Sequence, residues 1–125
     1  MNQKRILVVD DEVTITDLLK LNLEKTGLYS VRTENKGAEV LDAAREFMPD
    51  LILLDIMMPG MDGGDVAAQI KSEPAFKRTP IVFLTAVVKK EEVEAHAGVI
   101  GGFPYIAKPL DMKGVLHVIE ENLHS

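Results

Sequence analysis

The chain has 125 residues, 46% of them hydrophobic and 27% charged, which is the size and composition of one ordinary globular domain. The absence of cysteine excludes disulfides and thiol chemistry, and the net charge of −6 argues against non-specific binding to nucleic acid, whose backbone is also negative. No apolar run approaches the roughly 20 residues of a membrane span, and the first residues lack the apolar region of a signal peptide, so we expect a cytoplasmic protein without membrane contact.

Strand and helix patterns alternate five times along the chain. The runs over 6–9, 51–54 and 81–84 are continuously apolar, as in strands that are buried on both faces. The run over 103–107 contains a proline, which an edge strand tolerates. In chain order the predicted elements are a strand over 6–9, a helix around 15–23, a strand over 29–33, a helix around 40–48, a strand over 51–54, a helix after 62–64, a strand over 81–84, a helix near 89–97, a strand over 103–107 and a helix around 112–123.

This alternation is typical of the doubly wound α/β class. Strands joined by helical crossovers lie parallel, and right-handed crossovers place helices on both faces of the sheet. We therefore predict a single domain over 1–125 that contains a five-stranded parallel sheet and five helices.

Chemically active side chains follow four of the five predicted strands. Asp10 and Asp11 follow the first strand, Asp55 the third, Thr85 the fourth and Lys108 the fifth. Because the carboxyl ends of parallel strands meet at one edge of the sheet, we expect these side chains to converge there. Each of them alone is as well explained by a helix cap or a surface residue, so the shared edge is what favours a functional site.

Three crowded carboxylates repel one another, so this cluster requires a cation. Oxygen ligands suit a hard ion, and we predict Mg²⁺, with Mn²⁺ as a substitute. Lys108 is expected to add a positive charge on the side away from the Asp10-Asp11 pair, and the Thr85 hydroxyl can donate to a phosphoryl oxygen. This set of groups is typical of phosphoryl transfer. Asp55 is the predicted nucleophile, since it stands alone after its strand and the loop that follows can leave it exposed.

The residues at the strand ends also match a known pattern. The order Asp10-Asp11-Glu12, Asp55 followed by 58–63 (MPGMDG), Thr85-Ala86 and Lys108-Pro109 resembles, over the whole chain, the receiver domains of bacterial two-component response regulators. The resemblance implies a flavodoxin-like sheet with strand order 2-1-3-4-5. It also implies a signalling domain that accepts a phosphoryl group, rather than an enzyme that turns over a substrate.

The resemblance implies a role for each matching position. Asp55 is the expected phosphoacceptor, and Thr85 and Lys108 are expected to bind the phosphoryl oxygens. Tyr105 matches the family's switch aromatic, which turns inward as the Thr85 hydroxyl moves toward the phosphoryl group. The bond before Pro109 is expected to be cis, a form that is open to X-Pro bonds. The expected Mg²⁺ ligands are Asp10, Asp11, Asp55 and the backbone carbonyl of Met57.

The resemblance further implies protein partners. The phosphoryl donor is expected to be a sensor histidine kinase or a histidine phosphotransfer protein. The family's signalling face consists of its fourth helix, fifth strand and fifth helix. Near this face Phe103-Pro104 replaces a pair that is commonly polar, and Val87-Val88 adds a second apolar pair. We therefore expect the face to dock a partner or a second copy of the chain, as a homodimer.

Three alternative functions predict different residues. A flavodoxin-like carrier needs small or hydroxyl residues after its first strand, rather than Asp10-Asp11-Glu12. A haloacid-dehalogenase-like phosphatase needs a second aspartate two residues after its nucleophile, where this chain has Met57. The remaining alternative is a receiver-like interaction module that never accepts phosphate. It is disfavoured by the complete set of Asp10, Asp11, Asp55, Thr85 and Lys108.

Overall fold

The computed structural model describes residues 3–86, 99–100 and 103–123. Its main sheet contains five parallel strands in the order β2-β1-β3-β4-β5, so the doubly wound class and the expected strand order are both confirmed. A two-residue strand, Val99–Ile100, extends the sheet antiparallel to β5 and was not predicted. The five parallel strands are β1 (Lys4–Val9), β2 (Tyr29–Glu34), β3 (Leu51–Asp55), β4 (Ile81–Thr85) and β5 (Phe103–Ala107).

Four α-helices lie among the described residues, two on each face of the sheet. The helix predicted near 89–97 lies outside the described residues. None of the four helices is long and apolar enough to cross a membrane. The helices are α1 (Val13–Lys25), α2 (Val40–Phe47), α3 (Gly63–Lys71) and α4 (Met112–Leu123).

Each central strand divides its side chains between two cores. In β1, Ile6 and Val8 pack with residues of α1 and α4, whereas Leu7 and Val9 pack with residues of α2 and α3. Successive side chains of a strand point to opposite faces, so a strand that is covered by helices on both sides is apolar throughout. This is why the sequence patterns of β1, β3 and β4 are continuous apolar runs.

A short hairpin follows β3 and leads the chain into α3. Met57–Met58 pairs antiparallel with Met61–Asp62, and Gly60 in the turn has a φ of +74°, a conformation that favours glycine. The Asp62 side chain then caps α3 by accepting a hydrogen bond from the Gly64 N–H at 2.7 Å. The hairpin was not predicted, because two-residue strands leave no periodic pattern.

Gly63, the first residue of α3, lies against the backbone that follows Asp55. Its N–H donates to the Ile56 carbonyl at 3.0 Å. A Cβ at this position would lie 2.6 Å from Ile56 Cα and 2.9 Å from Ile56 O, which is closer than real side chains approach a backbone. Glycine therefore allows this close approach, and the start of α3 fixes the backbone next to Asp55.

We predict opposite effects for two Gly→Ala substitutions. Gly63→Ala should lower the free energy of unfolding by about 1–3 kcal/mol, because the added methyl group overpacks the Ile56 backbone. Gly114→Ala, in α4, should raise it by about 0.5–1 kcal/mol, because the nearest side-chain atom among the described residues would be 3.7 Å from a Cβ there and alanine has the higher helix propensity. Urea unfolding followed by circular dichroism measures both changes. A Gly63→Ala variant as stable as the wild type would contradict the close approach.

Candidate functional site

Three carboxylates meet at the edge of the sheet where β1 and β3 end. Asp10 and Asp11 directly follow β1, and Asp55 is the last residue of the neighbouring β3. One carboxylate oxygen from each residue lies within 4.8 Å of the other two. Asp10 is fully buried and Asp55 is 3% exposed, whereas Asp11 is exposed to solvent. The structure thus brings together the three acids that the sequence placed at this edge.

Asp10 is held through both its main chain and its side chain. Its N–H donates to the Glu34 carbonyl at the end of β2, at 3.1 Å. Its Oδ1 atom accepts a hydrogen bond from the Glu12 N–H at 2.9 Å. Its Oδ2 atom is buried and lies 2.7 Å from Lys108 Nζ. A buried carboxylate oxygen in this state requires a positive charge beside it.

Asp55 is surrounded by charged groups. The prediction that its loop leaves it exposed is wrong, because the side chains of the neighbouring strand ends cover its carboxylate. Burial raises the pKa of Asp55 to about 6, and the charge of Asp10 and a hydrogen bond with the Asp11 side chain act in the same direction. The Met57 N–H, which donates to Asp55 Oδ1 at 3.1 Å, and the charge of Lys108 act to lower this pKa.

Lys108 lies beside Asp10, so the prediction that it would lie on the side away from the Asp10-Asp11 pair is wrong. Its Nζ atom is 2.7 Å from Asp10 Oδ2, 3.6 Å from Glu12 Oε1 and 3.8 Å from Asp55 Oδ2. Burial lowers the pKa of Lys108, but a hydrogen bond and charge from Asp10, together with two further acids, outweigh this and raise it. The ammonium group pairs most closely with Asp10 because that carboxylate is fully buried and an unpaired buried charge is strongly destabilising.

The ends of β4 and β5 complete this edge of the sheet. Thr85 ends β4 and is 4% exposed, and its carbonyl accepts a hydrogen bond from the Lys108 N–H at 2.7 Å. The Lys108–Pro109 peptide bond is cis. Asp55 pairs in register with Leu84, so Thr85 lies one residue further along β4 toward the acid cluster.

Two further residues to which the resemblance gave roles are Met57, directly beside Asp55, and Tyr105. The Met57 side chain is 76% exposed, and the Met57 N–H bonds Asp55 as described above. Tyr105, in β5, is half-buried and packs against the core between the sheet and the α2 and α3 helices. Its place in β5, beside Phe83 of β4, puts it two residues before Ala107, the partner of Thr85.

The face that we expected to dock a partner is described in part. Phe103 packs edge-on against Phe83, with 5.3 Å between the ring centroids. Part of the apolar surface expected for docking is therefore used inside the domain. Val87-Val88 and the helix predicted near 89–97 lie outside the described residues.

The three acids fit a hard divalent cation. Each offers carboxylate oxygen, the ligand type that Mg²⁺ and Mn²⁺ prefer. Asp10 Oδ2 is buried and already lies 2.7 Å from Lys108 Nζ, so a divalent cation would share this carboxylate with the ammonium group. The three carboxylates crowd one another, and a divalent cation would stabilise all of them in their ionised form.

Sequence reasoning missed two residues at this edge. Glu12 places a further carboxylate 3.6 Å from Lys108 Nζ, and its position directly after the aspartate pair was the available signal. Asn35 donates from its side-chain amide to the Asp10 carbonyl at 2.7 Å. It follows β2, the one predicted strand whose end received no role, and its contact with Asp10 depends on β2 lying beside β1.

Comparison with known proteins gives a consistent family. The family model described as the response regulator receiver domain matches residues 6–120. The alkaline phosphatase synthesis transcriptional regulatory protein PhoP of Bacillus subtilis is 42% identical over 113 residues, which cover 90% of this chain. The same alignment covers 45% of PhoP, so the chain spans less than half the length of this relative.

Solved structures share the fold over nearly the whole chain. A putative response regulator from Chloroflexus aurantiacus has a TM-score of 0.84 at 29% identity, covering 99% of this chain and 100% of that one. The chemotaxis protein CheY4 of Vibrio cholerae has a TM-score of 0.82 at 28% identity, covering 96% of this chain and 98% of that one. With the site at the strand ends described above, these matches show that the chain belongs to the response regulator receiver domains of two-component systems, which are signalling domains.

Proposed function

We propose that the domain accepts a phosphoryl group on Asp55 from a phosphohistidine, carried by a sensor histidine kinase or a histidine phosphotransfer protein in the cytoplasm. One observation carries this proposal: the buried Asp55 carboxylate has Lys108 Nζ 3.8 Å away and two further carboxylates beside it. Like charges crowded in this way oppose folding, so packing does not account for them. Lys108, together with a cation held by the carboxylates, would supply the positioning and charge neutralisation that phosphoryl transfer requires.

The transfer exchanges one bond to phosphorus for another. Asp55 Oδ1 is held by the Met57 N–H, which leaves Oδ2, the atom nearer Lys108, to attack the phosphorus. As the Oδ2–P bond forms, the P–N bond of the phosphohistidine breaks, and its electron pair stays on the imidazole nitrogen. Lys108 and the Thr85 hydroxyl would bind the phosphoryl oxygens and stabilise their charge during the transfer.

The cation site would be formed by the three acids and the backbone carbonyl of Met57. When bound, Mg²⁺, or Mn²⁺ in its place, would neutralise charge on the phosphoryl oxygens. Asp10 is fixed in advance, since its N–H donates to the Glu34 carbonyl and its Oδ1 atom accepts from the Glu12 N–H. Asp11 is the exposed member of the set and would be the ligand nearest to solvent.

Phosphorylation would be transmitted through β4 and β5. A Thr85 hydroxyl that moves to bond the phosphoryl group would leave room for the half-buried Tyr105 side chain to turn inward. The surface made by β5, α4 and the helix predicted near 89–97 would change with it. This surface would then control a partner, an output domain or a second copy of the chain.

Acetyl phosphate with Mg²⁺ should add a single phosphate to the wild type and none to Asp55→Asn, because an amide is not a phosphoacceptor. Intact mass spectrometry measures the addition. Asp17→Asn is a matched control that removes the same charge from an exposed position of α1, and it should be modified like the wild type. An unchanged wild-type mass, or equal modification of Asp55→Asn, would contradict the proposal.

Asp55→Asn should also stabilise the metal-free domain at neutral pH. Folding raises the Asp55 pKa from 3.8 to about 6, so the folded state binds more protons than the unfolded state between these values, and the wild type loses stability as the pH rises through this window. In EDTA the variant should match the wild type at about pH 4 and exceed it by on the order of 2 kcal/mol above about pH 6. Urea unfolding at a series of pH values measures this. A stability difference between the two proteins that is independent of pH would contradict the electrostatic explanation.

The phosphorylated domain should self-associate through β5, α4 and the helix predicted near 89–97. Light scattering before and after treatment with acetyl phosphate and Mg²⁺ should show the mass rising toward twice that of the monomer. Asp55→Asn, treated in the same way, should remain a monomer. A wild type that stays monomeric in both forms would rule out the homodimer.

A further inference from the structure

Asn35, directly after β2, reaches the acid pair from the neighbouring strand. Its Nδ2 atom donates two hydrogen bonds, to the Asp10 carbonyl at 2.7 Å and to the Thr16 hydroxyl at 3.0 Å. Thr16 is fully buried near the start of α1, and its own hydroxyl donates to the Val13 carbonyl at 3.1 Å. One side-chain amide, with both of its protons used, therefore joins the ends of β1 and β2 to the start of α1.

The Asp10 carbonyl marks the point at which the chain leaves the sheet. Up to Asp10 the main chain is held by the ladder between β1 and β2, which ends with the bond from the Asp10 N–H to Glu34. Asp11 belongs to neither a strand nor a helix, since α1 begins only at Val13. In a continuing parallel ladder, a main-chain N–H of the neighbouring strand would bond the Asp10 carbonyl. The Asn35 amide occupies that place instead.

This hydrogen bond has a geometric consequence for the acid pair. A peptide unit is planar, so fixing the Asp10 carbonyl also fixes the direction of the Asp11 N–H and Cα. The exposed Asp11 side chain has no strand or helix to orient it. The Asn35 bond therefore sets the direction in which the Asp11 carboxylate leaves the chain relative to Asp10.

We propose that Asn35 is a positioning residue for the divalent cation, holding the Asp10-Asp11 peptide so that both carboxylates face Asp55. This inference rests on the proposed function, in which the three acids hold Mg²⁺. The described hydrogen bonds of the Asn35 amide go to a main-chain carbonyl and a hydroxyl, so the effect acts through geometry and not through charge. Groups that orient metal ligands in this way typically change metal affinity about 10- to 100-fold when they are removed.

Asn22 offers a matched control for a purely structural role. Its Nδ2 atom also donates to a main-chain carbonyl, that of Leu18, at 2.8 Å within α1. Substitution of Asn22 or of Asn35 by alanine removes a hydrogen bond from a side-chain amide to a main-chain carbonyl. Only the Asn35 variant alters the end of β1, and only its Mg²⁺ affinity should fall.

Isothermal titration calorimetry with MgCl₂ tests this in the wild type, Asn35→Ala, Asn35→Leu and Asn22→Ala, at a temperature where circular dichroism shows each to be folded. The dissociation constant for Mg²⁺ should rise about 10-fold or more in both Asn35 variants and stay within about twofold of the wild type in Asn22→Ala. Leucine fills the space of the amide without its donor, so Asn35→Leu gives the answer if Asn35→Ala does not fold.

Phosphorylation by acetyl phosphate gives a second readout. The Mg²⁺ concentration at half-maximal rate should rise with the dissociation constant in the Asn35 variants, while the rate at saturating Mg²⁺ returns to near that of the wild type, since Asp55 and Lys108 are unchanged. An unchanged dissociation constant in a folded Asn35 variant, or an equal rise in Asn22→Ala, would overturn the inference. A wild type that binds no Mg²⁺ would overturn the proposed function itself, so the two failures are distinguishable.

Discussion

A buried carboxylate must be matched by positive charge, and the carboxyl edge of this sheet is organised around that constraint. Asp10 is fully buried, and its Oδ2 atom is 2.7 Å from Lys108 Nζ, although the two residues are almost a hundred positions apart in the chain. Within the described part of the chain, Lys108 is the cation that pairs with this cluster of three carboxylates, so the described site retains negative charge. Burial raises the pKa of Asp55 and the charge of Asp10 raises it further, and a cation followed by a phosphoryl group would use the remaining negative charge.

The fold confines this charge to one edge and fixes the backbone there. The central strands are apolar on both faces, so a charged side chain has room only where a strand ends. Several local features then hold the strand ends in place. Gly63 allows α3 to begin close to the backbone that follows Asp55. The Asn35 side chain, directly after β2, donates a hydrogen bond to the Asp10 carbonyl, and the Thr85 carbonyl accepts one from the Lys108 N–H.

Local patterns predicted the features that a single stretch of chain determines. Continuous apolar runs predicted β1, β3 and β4, an alternating pattern predicted β2, and a proline-containing run predicted β5. The residues after the strands placed Asp10, Asp11 and Asp55 at one edge of the sheet. The strand order came from the family resemblance, because periodicity does not determine which strands are neighbours. Features that depend on this order were therefore missed. Asn35 contacts Asp10 because β2 lies beside β1. Lys108 pairs most closely with Asp10 because of how the strands are arranged in space, which no local sequence pattern determines.

Reductive trapping tests most directly whether Asp55 is the phosphoacceptor. Borohydride reduces an aspartyl phosphate to homoserine and leaves a free carboxylate unchanged, so it marks the modified residue permanently. After treatment with acetyl phosphate and Mg²⁺, reduction and proteolysis, peptide mass spectrometry should find homoserine at position 55 and aspartate at positions 10 and 11. Homoserine at another position, or aspartate at position 55 in protein that has gained a phosphate, would contradict the assignment.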